Sequence, residues 1–152
     1  MNSPQSAIPP QPAPGEISVP SSGAGKQAPL ILLAEDNAAN IVTISTYLKA
    51  KGYRLITVKN GQEAVRAAQE DHPDLILMDI QMPIMNGFEA IAAIRQNVKI
   101  ASIPIIALTA LAMEGDREEC LAAGADHYMS KPIRLKNMAK EIDAILAAQS
   151  SS

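Results

Sequence analysis

The chain has 152 residues, of which 47% are hydrophobic and 19% are charged, and its formal net charge at pH 7 is -3. Its length suits one domain, and its slightly acidic composition argues against direct nucleic-acid binding. The single Cys120 excludes an internal disulfide framework and fits a reducing compartment. The longest apolar run, Ile103–Met113, is far shorter than the roughly 18 residues that span a membrane, and no secretory signal opens the chain, so we expect a soluble, cytoplasmic protein without membrane contact.

Residues 1–29 differ in composition from the rest of the chain. They contain seven of the 11 prolines, one acidic and one basic residue (Glu16 and Lys26), and almost no side chains that could build a core. Such a segment cannot offset its ordering entropy by burial. We therefore predict a disordered, Pro/Ser/Gly-rich N-terminal arm over residues 1–29 and one folded domain over residues 30–149.

After the arm, short apolar runs alternate with longer segments of helical period. Continuously apolar strands are typical of a parallel sheet buried on both faces, and each helical segment has one apolar stripe that can pack on that sheet. Gly52 and Gly124 stand where a helix end commonly needs a left-handed residue. Five such units predict an open, doubly wound α/β domain with a five-stranded parallel sheet. The predicted strands are Leu30–Ala34, Arg54–Val58, Leu75–Met78, Ile103–Leu108 and Asp126–Met129.

Polar side chains end or follow these strands on one edge of the predicted sheet. In an open parallel sheet, ligands bind outside the carboxyl ends of the strands, near the point where the strand order reverses. Three carboxylates close together resist ionising unless a cation compensates them, and hard oxygen atoms are the ligands that Mg²⁺ prefers. The pattern therefore predicts a magnesium site. The residues at this edge are Glu35, Asp36, Asp79, Thr109 and Lys131.

Asp79 is the candidate nucleophile of this site, because carboxylates can form acyl phosphates. Phosphoryl transfer needs positioning and charge neutralisation, which Mg²⁺, Lys131 and the Thr109 hydroxyl could provide. Each residue alone has an ordinary structural interpretation: Glu35 and Asp36 could cap a helix, and Lys131 could be a solvated charge. Their joint placement favours a phosphoacceptor aspartate.

Four segments together resemble the receiver domain of two-component response regulators. Leu30–Asn37 is similar to the family's opening strand with its acidic pair, and Leu77–Gly87 to its phosphorylation-site strand and loop. Ala107–Ala110 and Ala125–Pro132 follow in the family's order and spacing. The resemblance covers Leu30–Ala148 and implies a flavodoxin-like (βα)5 fold with strand order 2-1-3-4-5.

The resemblance also implies a role for each acidic residue. Asp79 would accept a phosphoryl group from a phosphohistidine of a histidine kinase or a histidine phosphotransfer protein. Asp36, Asp79 and the main-chain carbonyl of Gln81 would hold Mg²⁺, and Glu35 would act through a water molecule. Such a receiver is not an enzyme in the usual sense, although it catalyses its own phosphorylation and dephosphorylation.

Three further residues would respond to phosphorylation in a protein of this family. Lys131 would pair with the phosphoryl group, and its peptide bond to Pro132 would be cis. Thr109 would move toward the phosphoryl oxygens while the ring of Tyr128 turns inward. This would bias a surface formed by the fourth helix, fifth strand and fifth helix for docking a downstream protein, with the receiver as a monomer or a weak phosphorylation-dependent dimer. Core packing of Tyr128 is the competing interpretation.

The sequence departs from the family pattern in small ways and leaves alternatives open. The acidic pair is Glu-Asp rather than Asp-Asp, and Gln81 and Leu111 occupy positions that influence the lifetime of the phosphoryl group in the family. A magnesium-dependent aspartyl-phosphate phosphatase would carry an aspartate where Gln81 stands. A dinucleotide enzyme would have a G-x-G-x-x-G after the first strand, which this sequence lacks.

The attachment of the receiver is the second open question. The chain stops at Ser152, soon after the fifth helix, so we expect no output domain of its own. A free-standing response regulator that acts by docking is the favoured interpretation, because Met1 suggests a complete reading frame. The receiver of a hybrid sensor kinase is the alternative, since the sequence of Asp79–Pro83 resembles that of such receivers.

Overall fold

The computed structural model describes residues 28–110 and 114–150, in which five strands and five helices alternate along the chain. Leu111 and most of the predicted arm lie outside the described residues. Within the described part, no helix is both long and apolar enough to cross a membrane. The elements are β1 (Leu30–Ala34), α1 (Ala38–Ala50), β2 (Arg54–Val58), α2 (Gly61–Asp71), β3 (Leu75–Asp79), α3 (Gly87–Gln96), β4 (Ile105–Thr109), α4 (Glu114–Ala123), β5 (His127–Ser130) and α5 (Leu135–Ser150).

The five strands form one sheet in the order β2-β1-β3-β4-β5, with every neighbouring pair parallel. This confirms the predicted doubly wound, flavodoxin-like fold and its strand order. The chain leaves β1 first toward β2 and returns to the other side at β3, so the strand order reverses between β1 and β3. Their carboxyl ends therefore border the crevice where a ligand is expected.

Successive strand residues alternate between the two faces of the sheet, although the strands are continuously apolar. Leu32, Ile76 and Ala107 face one buried cluster, to which α2, α3 and α4 contribute. Ile31 and Leu77 face a second cluster, to which α1 and α5 contribute. The sheet is thus covered on both faces, and its strand ends are the part of it left free to form a site.

The predicted bounds of β1 and β2 are confirmed, whereas those of β3, β4 and β5 differ from the structure by one or two residues. β5 spans His127–Ser130 rather than Asp126–Met129, and β4 ends at Thr109 rather than Leu108. β4 begins at Ile105 rather than Ile103, because the Ile103 N–H donates to the Ile100 carbonyl in a turn and Pro104 has no N–H to donate. β3 extends by one residue to Asp79, which is paired in register with Leu108. Backbone pairing sets these ends, whereas the prediction followed side-chain polarity.

Asparagine caps mark where α1, α2 and α3 begin. The Asn37 side chain accepts a hydrogen bond from the Asn40 N–H at the start of α1, directly after the acidic pair. Asn86 forms a capping box with Glu89 at the start of α3. Such caps satisfy backbone donors that the first turn leaves open. They fix the backbone where the loops that follow β1 and β3 enter α1 and α3.

Candidate functional site

Three carboxylates meet at the carboxyl ends of β1 and β3. Register places Ala34 beside Met78, so Glu35 and Asp36 leave β1 next to Asp79. One oxygen from each carboxylate lies within 4.8 Å of the others. Glu35 is fully buried and Asp79 is 2% exposed, whereas Asp36 faces solvent. The cluster therefore opens to solvent at Asp36 and is enclosed at the other two acids.

Lys131 brings the cationic group to this cluster from the loop after β5. Its Nζ lies 3.1 Å from Glu35 Oε1 and 3.3 Å from Asp79 Oδ1. The Lys131 N–H donates to the Thr109 carbonyl (2.8 Å), which ties the lysine to the end of β4. The Lys131–Pro132 bond is cis, as the resemblance implied. Thr109 is buried at the last position of β4 and is paired in register with Ser130.

The electrostatic balance of the site leaves excess negative charge. Burial, followed by the neighbouring Glu35 carboxylate, raises the pKa of Asp79 to about 6, although Lys131 and the Gln81 N–H act in the opposite direction. Burial lowers the pKa of Lys131, but the Asp79 and Glu35 carboxylates outweigh it, so this pKa lies above its usual value. One ammonium group cannot neutralise three carboxylates, so the remaining negative charge favours binding of a divalent cation.

The oxygen donors of the site also fit a metal ion. Three donors converge on Glu35 Oε2, namely the Asn37 N–H (3.2 Å), Asn40 Nδ2 (3.4 Å) and Lys131 Nζ (3.4 Å). Glu35 Oε1 is buried and accepts no hydrogen bond within the described residues, although it forms an ion pair with Lys131 Nζ at 3.1 Å. A buried carboxylate oxygen that accepts no hydrogen bond, beside two more carboxylates, suits Mg²⁺ and its water ligands.

Gln81 and Tyr128 occupy different places relative to Asp79. The Gln81 N–H donates to Asp79 Oδ1 (3.2 Å), so this residue lies beside the carboxylate. Tyr128 lies in β5, two strands from β3, and is paired in register with Ala107 of β4. Its ring is partly buried against the cluster under α2, α3 and α4. The Arg117 guanidinium lies 5.8 Å from the ring centroid. The structure therefore places Gln81 within the site and Tyr128 outside it.

Two residues that contact the site or its loop were missed by the sequence interpretation. Asn40 donates to Glu35 from the first turn of α1, and an ordinary surface asparagine gives no sequence signal of such a contact. Gly61 begins α2, and its N–H donates to the Met85 carbonyl in the loop after β3 (2.8 Å). The sequence signal for Gly61 is its position directly after the capping residue Asn60. The first position of a helix normally tolerates a side chain, so a glycine there indicates a close contact.

This fold and acidic site define a class of signalling domain. A family profile described as the response regulator receiver domain matches residues 31–143. The chain belongs to this family, as the sequence resemblance indicated. Receiver domains of this family are phosphorylated, interact with histidine kinases or histidine phosphotransfer proteins, and dock partner proteins. They are not enzymes in the usual sense.

Individual relatives agree with this assignment. The polar-differentiation response regulator DivK of Brucella ovis is 39% identical over 116 residues, which are 76% of this chain and 94% of DivK. The receiver domain of the sensor histidine kinase PA1611 from Pseudomonas aeruginosa, solved with magnesium in its active-site cleft, superposes with a TM-score of 0.74 at 39% identity, covering 79% of this chain and 98% of that one. The chemotaxis response regulator CheY4 of Vibrio cholerae gives a TM-score of 0.73 at 29% identity, covering 79% and 99%.

Proposed function

We propose that residues 30–149 form a magnesium-dependent receiver in which Asp79 accepts a phosphoryl group from a phosphohistidine of a histidine kinase or a histidine phosphotransfer protein. The observation that carries this proposal is the buried Asp79 carboxylate, which lies among two further acids and 3.3 Å from Lys131 Nζ. Residues 1–29 are proposed to be an arm that adds reach. The magnesium found in the PA1611 receiver supports the metal requirement.

In the proposed reaction, Asp79 is the nucleophile. One carboxylate oxygen attacks phosphorus, the bond from phosphorus to the donor nitrogen breaks, and the imidazole leaves with the bonding electron pair. Asp36, Asp79 and the Gln81 carbonyl would hold Mg²⁺, with Glu35 acting through water. The bound ion would neutralise charge on the phosphoryl oxygens. Lys131 already lies within ion-pair distance of the carboxylate, so it can follow the new negative charge without a large movement.

Loss of the phosphoryl group completes the proposed cycle. A water molecule attacks phosphorus, the acyl phosphate bond breaks, and inorganic phosphate leaves while the Asp79 carboxylate is restored. Gln81 and Leu111 are proposed to set how readily this water reaches phosphorus.

The proposed output is a change at the surface formed by α4, β5 and α5. Thr109 ends β4 and the Lys131 N–H donates to its carbonyl, so a movement of Thr109 is transmitted to the end of β5. Tyr128 in β5 is partly buried and could rotate between buried and exposed positions. We propose that this pair biases the surface for docking a downstream protein, with the receiver as a monomer or a weak phosphorylation-dependent dimer.

A free-standing regulator and the receiver of a hybrid sensor kinase are both candidate arrangements. The first is favoured by 39% identity to DivK, of which the chain covers 94%. The second is favoured by the same identity to the PA1611 receiver. Phosphotransfer profiling against the histidine kinases and histidine phosphotransfer proteins of the source organism distinguishes them, because a hybrid receiver is expected to prefer its own kinase.

Labelling of Asp79 is the direct test of the proposed function. With Mg²⁺ and a phosphohistidine donor, or a small acyl phosphate, we expect one labelled site that is stable to acid and labile to hydroxylamine. Asp79→Asn should lose the label. Asp71→Asn, which changes an exposed aspartate in α2, is the matched control and should keep it. Full labelling of Asp79→Asn would overturn the assignment.

A further inference from the structure

Gly61 makes a contact with the loop after β3 that no other residue type could make. Its N–H donates to the Met85 main-chain oxygen at 2.8 Å. A Cβ atom at this position would lie 2.3 Å from that oxygen and 2.9 Å from the carbonyl carbon. Ordinary contact begins at 3.4 Å, so any side chain would displace the loop or α2 by about 1 Å. Two of the three clashing atoms are backbone atoms, which cannot rotate away, and the third is Met85 Cγ at 2.9 Å.

The loop that Gly61 touches is held in a strained shape by main-chain hydrogen bonds. The Gly87 N–H donates to the Ile80 carbonyl (2.9 Å), and this hydrogen bond joins the two ends of the loop. The Met85 N–H donates to the Pro83 carbonyl (2.7 Å), which makes a three-residue turn centred on Ile84 with φ of 69°. A β-branched residue rarely adopts this conformation. The Ile84 side chain is 77% exposed, so its packing does not stabilise the turn.

The same loop includes the residue next to the phosphoacceptor carboxylate. Gln81 donates its N–H to Asp79 Oδ1 at 3.2 Å, and its carbonyl is the proposed main-chain ligand for Mg²⁺. Only Met82 lies between Gln81 and the rigid Pro83. One hydrogen bond closes the loop at Ile80 and another closes the turn at Pro83. Few backbone torsions are therefore free to adjust, so a displacement of Met85 is expected to move Gln81 as well.

We propose that Gly61 is a positioning residue for the phosphorylation of Asp79. By approaching Met85 without a side chain, it fixes the loop between β3 and α3 and thereby the distance from the Gln81 carbonyl to the carboxylates. Gly61 does not touch the reacting atoms. The inference depends on the proposed role of Asp79, and it adds α2 to the elements that determine the geometry of the site.

The test compares Gly61→Ala with Gly115→Ala in the full chain. Gly115 is exposed within α4, and a Cβ there meets nothing within 4 Å. The Mg²⁺ dissociation constant is measured by calorimetry without donor, and the initial rate of Asp79 phosphorylation by acetyl phosphate is measured at limiting Mg²⁺. In Gly61→Ala we expect the dissociation constant to rise at least about tenfold and the rate to fall by a similar factor. Gly115→Ala should match the wild type.

The outcomes separate this inference from the proposed function. A folded Gly61→Ala chain with a Mg²⁺ dissociation constant within twofold of the wild type overturns the inference, whatever its thermal midpoint. An unlabelled wild-type Asp79 overturns the proposed function, while the metal affinities still decide whether Gly61 positions the loop.

A wild-type measurement decides the case in which Gly61→Ala does not fold. We then expect the Gly61 amide resonance to shift during a Mg²⁺ titration with the same midpoint as the Gln81 amide, while the Gly115 amide stays fixed. A Gly61 resonance that does not move overturns the inference.

Discussion

Lys131 and Glu35 are 96 residues apart in the chain, yet Lys131 Nζ lies 3.1 Å from Glu35 Oε1, and the Glu35 side chain is fully buried. The same ammonium group is 3.3 Å from Asp79 Oδ1. One cation thus bridges two buried carboxylates, of which Glu35 follows β1 and Asp79 ends β3. The free energy of unfolding depends on this shared ammonium group, because a buried carboxylate without a partner destabilises the folded state.

Removal of the lysine should therefore destabilise the protein. In Lys131→Ala, two buried carboxylates lose their nearest cation, and we expect the free energy of unfolding at pH 8 without metal to fall by about 2–4 kcal/mol. Denaturant titration measures this change. Lys136→Ala, at an exposed position in α5, is the control and should change it by less than about 0.5 kcal/mol. Equal stability of the two variants would show that the bridge contributes little.

Lys131→Ala should also separate metal binding from switching. The oxygen ligands remain, so we expect the variant to bind Mg²⁺. The phosphoryl group would lack its ammonium partner, so the change in the environment of Tyr128 on phosphorylation should be lost. Tyrosine fluorescence or the ring resonances of Tyr128 report this change. A wild-type response in the variant would contradict the proposed part of Lys131 in the switch.

The raised pKa of Asp79 predicts a pH-dependent effect of Asp79→Asn. Because this pKa is about 6 in the folded protein, against an ordinary value of 3.8 for an aspartate, the folded state binds the proton more tightly than the unfolded chain. Without metal, the wild type should lose stability as pH rises from about 4 through 6. Asp79→Asn should equal the wild type near pH 4 and exceed it by up to about 3 kcal/mol at pH 8. A wild type that is as stable as Asp79→Asn at pH 8 would contradict this prediction.

Mg²⁺ should stabilise the folded chain through the three carboxylates. A ligand at 100 times its dissociation constant adds about 2.7 kcal/mol to the free energy of unfolding. We expect the thermal midpoint of the wild type to rise with Mg²⁺ and to return after addition of EDTA. Asp36→Asn should weaken this response strongly, since it removes the exposed ligand of the cluster. An unchanged response in Asp36→Asn would argue against its place as a ligand.

Arg95 provides a prediction at the opposite end of the sheet. Its guanidinium joins the end of α3 to the loop before β4 and to the turn before β5, so Arg95→Ala should cost about 2–4 kcal/mol of stability. The Mg²⁺ dissociation constant should remain that of the wild type. Arg66→Ala, at an exposed position in α2, is the control. A large loss of Mg²⁺ affinity would contradict a purely structural role. The Arg95 acceptors are the carbonyls of Ala101, Ile103 and Gly124 and the carboxylate of Asp126.

The sequence predicted the fold class because buried parallel strands are apolar without interruption and are separated by helical stripes. It also predicted that Glu35, Asp36, Asp79 and Lys131 lie at or just after the ends of strands, which makes them candidates for one site. The predicted start of β4 was wrong, since this strand begins only at Ile105. A hydrogen-bonded turn decides that start, and side-chain polarity does not reveal it.

The sequence by itself determined the chemical types that meet at the site, namely three carboxylates, a hydroxyl and an ammonium group at strand ends. Only the tertiary structure decided their distances and burial, which raise the pKa of Asp79 and leave Glu35 Oε1 without a hydrogen bond within the described residues. It alone brought Gly61 against Met85. The physical reason is that periodicity reports local backbone geometry, whereas contacts between distant residues depend on how strands register and helices pack.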